Sequence, residues 1–189
     1  MVCSQVSPAE KIEAEENSVD LVSCSQSMHW FNVDKFYPEV KRILKPNGVI
    51  AAIGYPNIPT VTVVGNEGGK ELTNHLREIY DHKYLKQYKI QKLKAIDNRY
   101  IDLDFPFEDF TRVEGINSFV DTSIGEIEGY VQAWSDFHRC LAYEPESAIQ
   151  VLQQFRQLVQ KTAKDYSLNE DSAVRMTFHY FLIMGRKRD

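Results

Sequence analysis

Cysteine is scarce in this chain of 189 residues: there are three, at positions 3, 24 and 140, odd in number and far apart. That pattern points to reduced thiols in a cytoplasmic setting and away from a disulfide framework. No run of about 18 apolar residues is present, which leaves no segment to cross a membrane as a helix, and the first residues do not read as a signal peptide. Basic residues are outnumbered, 22 Lys and Arg against 27 Asp and Glu, for a net charge of −5, so the electrostatic footprint of a nucleic-acid binder is missing. The five histidines and three cysteines fall at no metal-ligand spacing, and no zinc site is expected. None of the nine glycines forms GxGxxG or GxGxG after a strand. "GNEGG" at 65–69 follows Thr60 to Val64, but its spacing does not suit a phosphate-cradling loop. Internal repeats and low-complexity tracts are also lacking.

What is present is an ordinary globular composition, 43% apolar and 26% charged, at a length that suits one domain. Val19 to Ser25 is short, apolar and β-branched, with Asn17-Ser18 in front, and reads as a buried, parallel strand. Asn32 or Asp34 is placed to cap a helix running to about Leu44, with Phe36, Val40, Ile43 and Leu44 on one face. Lys45-Pro46-Asn47-Gly48 ends that helix in a tight turn, and Val49 to Gly54 is a second buried strand, completing a βαβ unit. Tyr55 to Gly69 reads as a loop. A helix is predicted from Lys70 to about Lys94, weak strands at Tyr100 to Leu103 and Thr111 to Val113, and a helix from Ser123 through Trp134 to about Leu141, opened by the Ser123–Glu126 capping box. Another helix starts at Pro145-Glu146-Ser147, and Ala173 to Arg186 alternates as a strand. The class is α/β, with residues 1–55 as a βαβ core, 56–172 as loop and helical cap, and 173–189 as a C-terminal strand. "KYLKQYKIQKLK" at 83–94 mixes Lys with Tyr, but helical spacing makes its lysines a solvated face.

In open α/β sheets ligands bind at the carboxyl ends of the strands. Ser25, Gln26 and Ser27 stand at such an end, and His29-Trp30-Phe31 follow at once. Small polar residues there admit a ligand to the backbone, while aromatics shield it from water. His29 reads either as a half-buried histidine satisfied by the backbone or as a proton acceptor, and the same choice holds for His138. Trp30 and Trp134 read as core or as pocket wall, and Glu10 as surface or ligand-facing. Cys24, inside a strand, reads as a small apolar residue.

The stretch "AEKIEAEENSVDLVSCSQSMHWFNVDKFYPEVKRILKPNGVIAAIGY" resembles the second half of a class I S-adenosylmethionine-dependent methyltransferase domain, nearest the trans-aconitate methyltransferase-like enzymes. The resemblance rests on Ala9-Glu10, the strand Ser18 to Val22, His29 to Phe31, and Glu39 with Arg42, Leu44, Lys45, Pro46 and Gly48. "EGYVQAWSDF", Glu128 to Phe137, is similar to a Trp-Ser helix of that subgroup. It implies S-adenosylmethionine as cofactor, with Ala9 and Glu10 beside the adenine and Ser25 and Gln26 on the adenosine or methionine part. It further implies His29 and Trp30 near the methyl donor and substrate, Tyr55 and Trp134 on the acceptor, and His29 or His138 in any proton transfer. The acceptor is expected to be a small molecule, perhaps a carboxylate, which is already ionised at neutral pH and needs no base.

The family's Gly-rich turn and the acidic residue ending its second strand have no counterpart here. The chain is therefore expected to be an N-terminally incomplete domain: a partial Rossmann-like methyltransferase sheet of the last four strands of seven, with a helical cap. The Val19–Ser25 strand then has an open edge, an association site for a second copy. The rival reading is a non-catalytic fragment or interaction protein that does not hold the cofactor alone.

Overall fold

The computed structural model describes residues 6–89 and 91–188, so Cys3 lies outside the described residues. Its elements in chain order are β1 (Val19–Ser25), a 3-10 turn (Met28–Trp30), α1 (Val33–Ile43), β2 (Leu44–Gly54), β3 (Thr60–Val63), α2 (Gly68–Tyr80), α3 (Lys83–Lys86), α4 (Leu93–Asp97), β4 (Glu108–Ser123), α5 (Glu128–Gln132), α6 (Ser135–Tyr143), α7 (Pro145–Asp165) and β5 (Ala173–Arg186). The α/β class holds, but the sheet has five strands where four were expected, because Thr60–Val63 and Glu108–Ser123 both join it; it is parallel where β1 meets β2 and antiparallel where β5 meets β2 and β3. The chain divides into two compact units.

The first unit comprises Met1–Tyr55, Lys92–Ile116 and Tyr180–Asp189. Its βαβ core follows the sequence pattern in order and type, but β1 is not the buried strand expected: of its seven residues only Cys24 is buried, because β2 covers one edge and the rest faces outward. Asn32 stands at the N-cap of α1, and Phe36, Tyr37, Val40 and Ile43 form its buried face, as the three-and-four spacing dictates. In β2, Ile50 and Ala52 are fully buried, as are Phe181 and Ile183 of β5, and these strands pair as Ala52↔Ile183 and Gly54↔Phe181. The Lys45–Gly48 stretch interrupts the ladder. Val19 pairs with Leu44 but Leu21 with Val49, and Asn47 takes a left-handed φ of 63°, the conformation Asn tolerates in turns. Lys187 fastens this turn through its Nζ on the Leu44 carbonyl at 2.9 Å and by exchanging backbone bonds with Asn47 and Gly48.

The "E..R" pair has a structural role. The Arg42 guanidinium donates to both Glu39 carboxylate oxygens and to the carbonyls of Ile12 and Ala14. Glu39 Oε1 in turn accepts the Ile12 amide at 2.6 Å. This ties the irregular segment 9–16 to α1. Among the described residues β1 pairs with β2 alone, and Leu21 is 55% exposed, so one edge of this strand is open.

The second unit comprises Pro56–Gln91 and Asn117–His179 and is mostly helical. Its core gathers Leu72, Leu76 and Ile79 of α2, Phe137 and Cys140 of α6, Val151 and Phe155 of α7, and Val61, Val63, Val174 and Met176 of the strands. Three expectations are corrected here. Thr60–Val63 is a strand, not loop: Val61 and Val63 are buried while Thr62 is exposed, an alternation masked by the flanking Pro and Gly. The predicted helix from Lys70 to Lys94 breaks at His82, which leaves helical geometry and accepts the Tyr84 amide as the cap of α3. The helix opened by Ser123 is also split: Ser123 is the last residue of β4, and extended Trp134 separates α5 from α6. In the first unit, Tyr100–Leu103 is a turn and not a strand, because Arg99 and Tyr100 both take left-handed φ.

Two outcomes follow for stability. A Cβ on Gly69 would stand 2.7 Å from both Thr62 Cα and the Val61 carbonyl oxygen. Gly69→Ala is therefore expected to destabilise by about 1–3 kcal/mol through overpacking against backbone, measured by urea unfolding. Arg42 hydrogen bonding, with help from the Ile12 amide, pulls the Glu39 carboxyl down to about 2. A carboxyl depressed in the folded state stabilises above its ordinary value and loses that contribution as it protonates. Melting temperature should fall as pH drops from about 4.5 toward 2, and Glu39→Gln should flatten that part of the profile.

Candidate functional site

The carboxyl end of β1 is built by the turn that follows it. Gln26 has a left-handed φ of 48°, unusual for a residue with a Cβ, and its side chain shows what holds it there. The carboxamide nitrogen donates to the Tyr55 carbonyl at 3.1 Å, and the carboxamide oxygen accepts the Tyr55 amide at 3.0 Å. This reciprocal pair joins the carboxyl ends of β1 and β2. The turn is tightened by the Gln26 amide on the Ile53 carbonyl and the Trp30 amide on the Ser27 carbonyl. Gly54 leaves room for it, since a Cβ there would meet Ile96, Phe181 and the Gln26 oxygen.

Beyond Gln26, Met28 is fully buried and anchors the 3-10 turn, His29 is half-buried, and Trp30 is 40% exposed. The His29 and Trp30 rings lie 4.9 Å apart. His29 Nδ1 is 2.8 Å from the hydroxyl of Tyr100, and Lys92 donates to the Trp30 carbonyl at 2.7 Å. Burial lowers the His29 pKa below its ordinary 6.5, with Lys92 acting the same way and Asp97 opposing, so the ring is neutral at pH 7. Glu10 reaches this region through one oxygen, which accepts the Asn32 amide at 2.7 Å. That bond, more than nearby Lys92 and Lys35, keeps its carboxyl below the usual range. Ala9 lies in the turn before it, partly buried, and Ser25 is exposed. The Tyr55 and Tyr180 rings pack tilted, 4.8 Å between centroids. Burial pushes the Cys24 thiol up to about 11, so it stays an unreactive thiol.

The comparisons with known proteins include this segment. A family model described as a methyltransferase domain matches residues 2–52. A protein of Dictyostelium discoideum named as a methyltransferase is 28% identical over 97% of this chain, which spans 65% of that relative's length. An uncharacterized methyltransferase of Schizosaccharomyces pombe is 47% identical over 49 residues, 26% of this chain and 20% of its own. A solved structure described as a type II methyltransferase from Anaeromyxobacter dehalogenans matches with a TM-score of 0.68 at 22% identity, over 96% of this chain and 70% of that one. Residues 2–52 thus match a methyltransferase domain, and over most of its length the chain is similar to a protein named as a methyltransferase.

At the β1 end some groups are open and others are already engaged by protein. Ser25 is an exposed residue, Trp30 is partly exposed, and His29 Nε2 has no partner among the described residues. Gln26 and one Glu10 oxygen are already engaged by backbone, and their visible task is to shape the turn and the start of α1. Trp134 and His138 belong to the second unit. Trp134 is 7% exposed, packed edge-on against Tyr80 and Tyr130, and its indole N–H has no partner among the described residues. His138 is exposed on α6. Tyr100 and Lys92 escaped the sequence reading, because nothing local marks a Tyr 71 positions beyond its histidine.

Gln26→Glu is expected to cost about 1–3 kcal/mol, since a carboxylate oxygen would then face the Tyr55 carbonyl with no hydrogen between them. Thermal melts of the two proteins at pH 7 check this.

Proposed function

We propose that this chain serves methyl transfer from S-adenosylmethionine to a small-molecule acceptor, with an ionised carboxylate as the acceptor class, at the carboxyl end of β1. The observation that carries the reading is the cluster of exposed Ser25, neutral half-buried His29 and partly exposed Trp30 at the strand end where α/β sheets bind ligands. Ser25 would hold polar groups of the cofactor and Trp30 would wall it from water, with Ala9 and Glu10 lining the approach beside α1. When bound, the cofactor supplies a methyl group on a positively charged sulfur, which departs with the electron pair of the broken bond. An ionised carboxylate attacks with its own lone pair, so no residue has to remove a proton. The chain's contribution is then alignment and exclusion of water.

A second reading comes from β1, which pairs on one side only among the described residues and leaves Leu21 exposed. Such an edge is a template for pairing with a second copy of this chain, and a protein built for that association need not hold the cofactor. Calorimetric titration with S-adenosylhomocysteine separates the two. The methyl-transfer reading expects micromolar binding, weakened several-fold to about tenfold by Trp30→Ala, the range of an aromatic contact. Absence of heat from a folded chain that runs as a dimer in size-exclusion chromatography would favour the second.

A further inference from the structure

We propose that Tyr100 is a positioning residue that holds His29 in its Nε2–H tautomer, so that His29 meets the methyl acceptor as a hydrogen-bond donor and not as a base. The role toward the acceptor rests on the methyl-transfer reading; the tautomer itself does not.

The argument is an accounting of protons. Tyr100 is 2% exposed, and the side-chain partner of its hydroxyl among the described residues, able to accept its proton, is His29 Nδ1, at 2.8 Å. If Nδ1 carried the proton and donated, the phenol hydrogen would be left buried with no acceptor, at a cost of about 1–3 kcal/mol. If the phenol donates, both groups are satisfied, and the imidazole proton resides on Nε2. The acidities agree with this direction. Burial pushes the Tyr100 phenol up to about 12, against a smaller opposing effect of the His29 backbone amide, so it retains its proton, while His29 is neutral. The charged groups acting on the imidazole are Asp97, which favours protonation, and Lys92, which disfavours it.

The backbone shows that this placement is imposed. Arg99 and Tyr100 take φ of 54° and 56° in succession, each unfavourable for a residue with a Cβ by roughly 1–2 kcal/mol. Neighbouring bonds hold them. The Tyr100 amide donates to the Ala95 carbonyl at 2.8 Å, Arg112 donates to the Arg99 carbonyl at 3.0 Å, and Phe181 meets the Tyr100 ring edge-on at 5.2 Å. Strain maintained by surrounding structure is characteristic of functional positions. His29 Nε2 has no partner among the described residues, and its N–H suits an oxygen with lone pairs to offer. An ionised carboxylate meets that requirement, whereas a hydroxyl acceptor would need a base that an Nε2–H imidazole does not supply.

The test is a long-range proton–nitrogen NMR correlation on the full chain labelled in histidine at pH 7, with the His29 signals assigned from the His29→Gln spectrum. The expected result is a single Nε2–H tautomer for His29 in the unaltered chain and a mixture of both tautomers in Tyr100→Phe. An Nδ1–H imidazole in the unaltered chain overturns the proposal, as does a folded Tyr100→Phe protein whose His29 signals are unchanged. Should Tyr100→Phe fail to fold, the spectrum of the unaltered chain still decides, because an Nδ1–H form there is sufficient to reject it. The readout needs neither cofactor nor acceptor, so its failure is distinguishable from failure of S-adenosylhomocysteine binding.

Discussion

The candidate site depends on one side-chain amide. Gln26 bonds in both directions to the Tyr55 backbone, and this fixes where β1 and β2 end relative to each other. A shorter side chain does not span the gap, and a carboxylate at this position lacks the donor for the Tyr55 carbonyl. Because Gln26 is held in a left-handed conformation, the chain turns sharply, and the 3-10 turn carrying His29 and Trp30 starts at once. The small volume of Gly54 admits this clamp, since Ile96, Phe181 and the Gln26 oxygen already occupy the space a side chain would take.

Around this clamp, polar groups are satisfied in a hierarchy. Glu39 and Arg42 serve the backbone of segment 9–16, Glu10 serves the start of α1, and Lys92 serves the Trp30 carbonyl. These bonds use groups that, read in one dimension, are as apt to touch a ligand as to touch protein. Among the described residues at the β1 end, exposed Ser25, partly exposed Trp30 and His29 Nε2 are not taken up in this way.

The second unit presents a different balance. Its core is a continuous apolar cluster from α2, α6, α7 and the strands, and Trp134 is part of it with an unpartnered indole N–H. Buried donors of this kind are uncommon in native interiors. In the sequence Trp134 looked like the middle of one helix; in the structure it is the extended residue between two, which is how its ring turns inward between Tyr80 and Tyr130.

The sequence by itself determined the α/β class, the βαβ core and the last strand, because those segments carry strong period-2 or period-3.6 patterns and clear stops. Val19–Ser25 has the bounds its pattern implied, Val33–Ile43 starts at Asn32, whose carbonyl and not its side chain takes the first amides, and Pro145 opens α7. It also determined that His29 and Trp30 follow the carboxyl end of a parallel strand. Tertiary structure alone decided the breaks at His82 and Trp134 and the strand hidden at Thr60–Val63, where packing overrode the local signals. It alone decided which polar groups are occupied. Whether Gln26 faces a ligand or Tyr55, and whether His29 has a phenol beside it, depends on residues 29 and 71 positions away. No local periodicity carries such information, because hydrogen-bond partners at that separation are chosen by the fold.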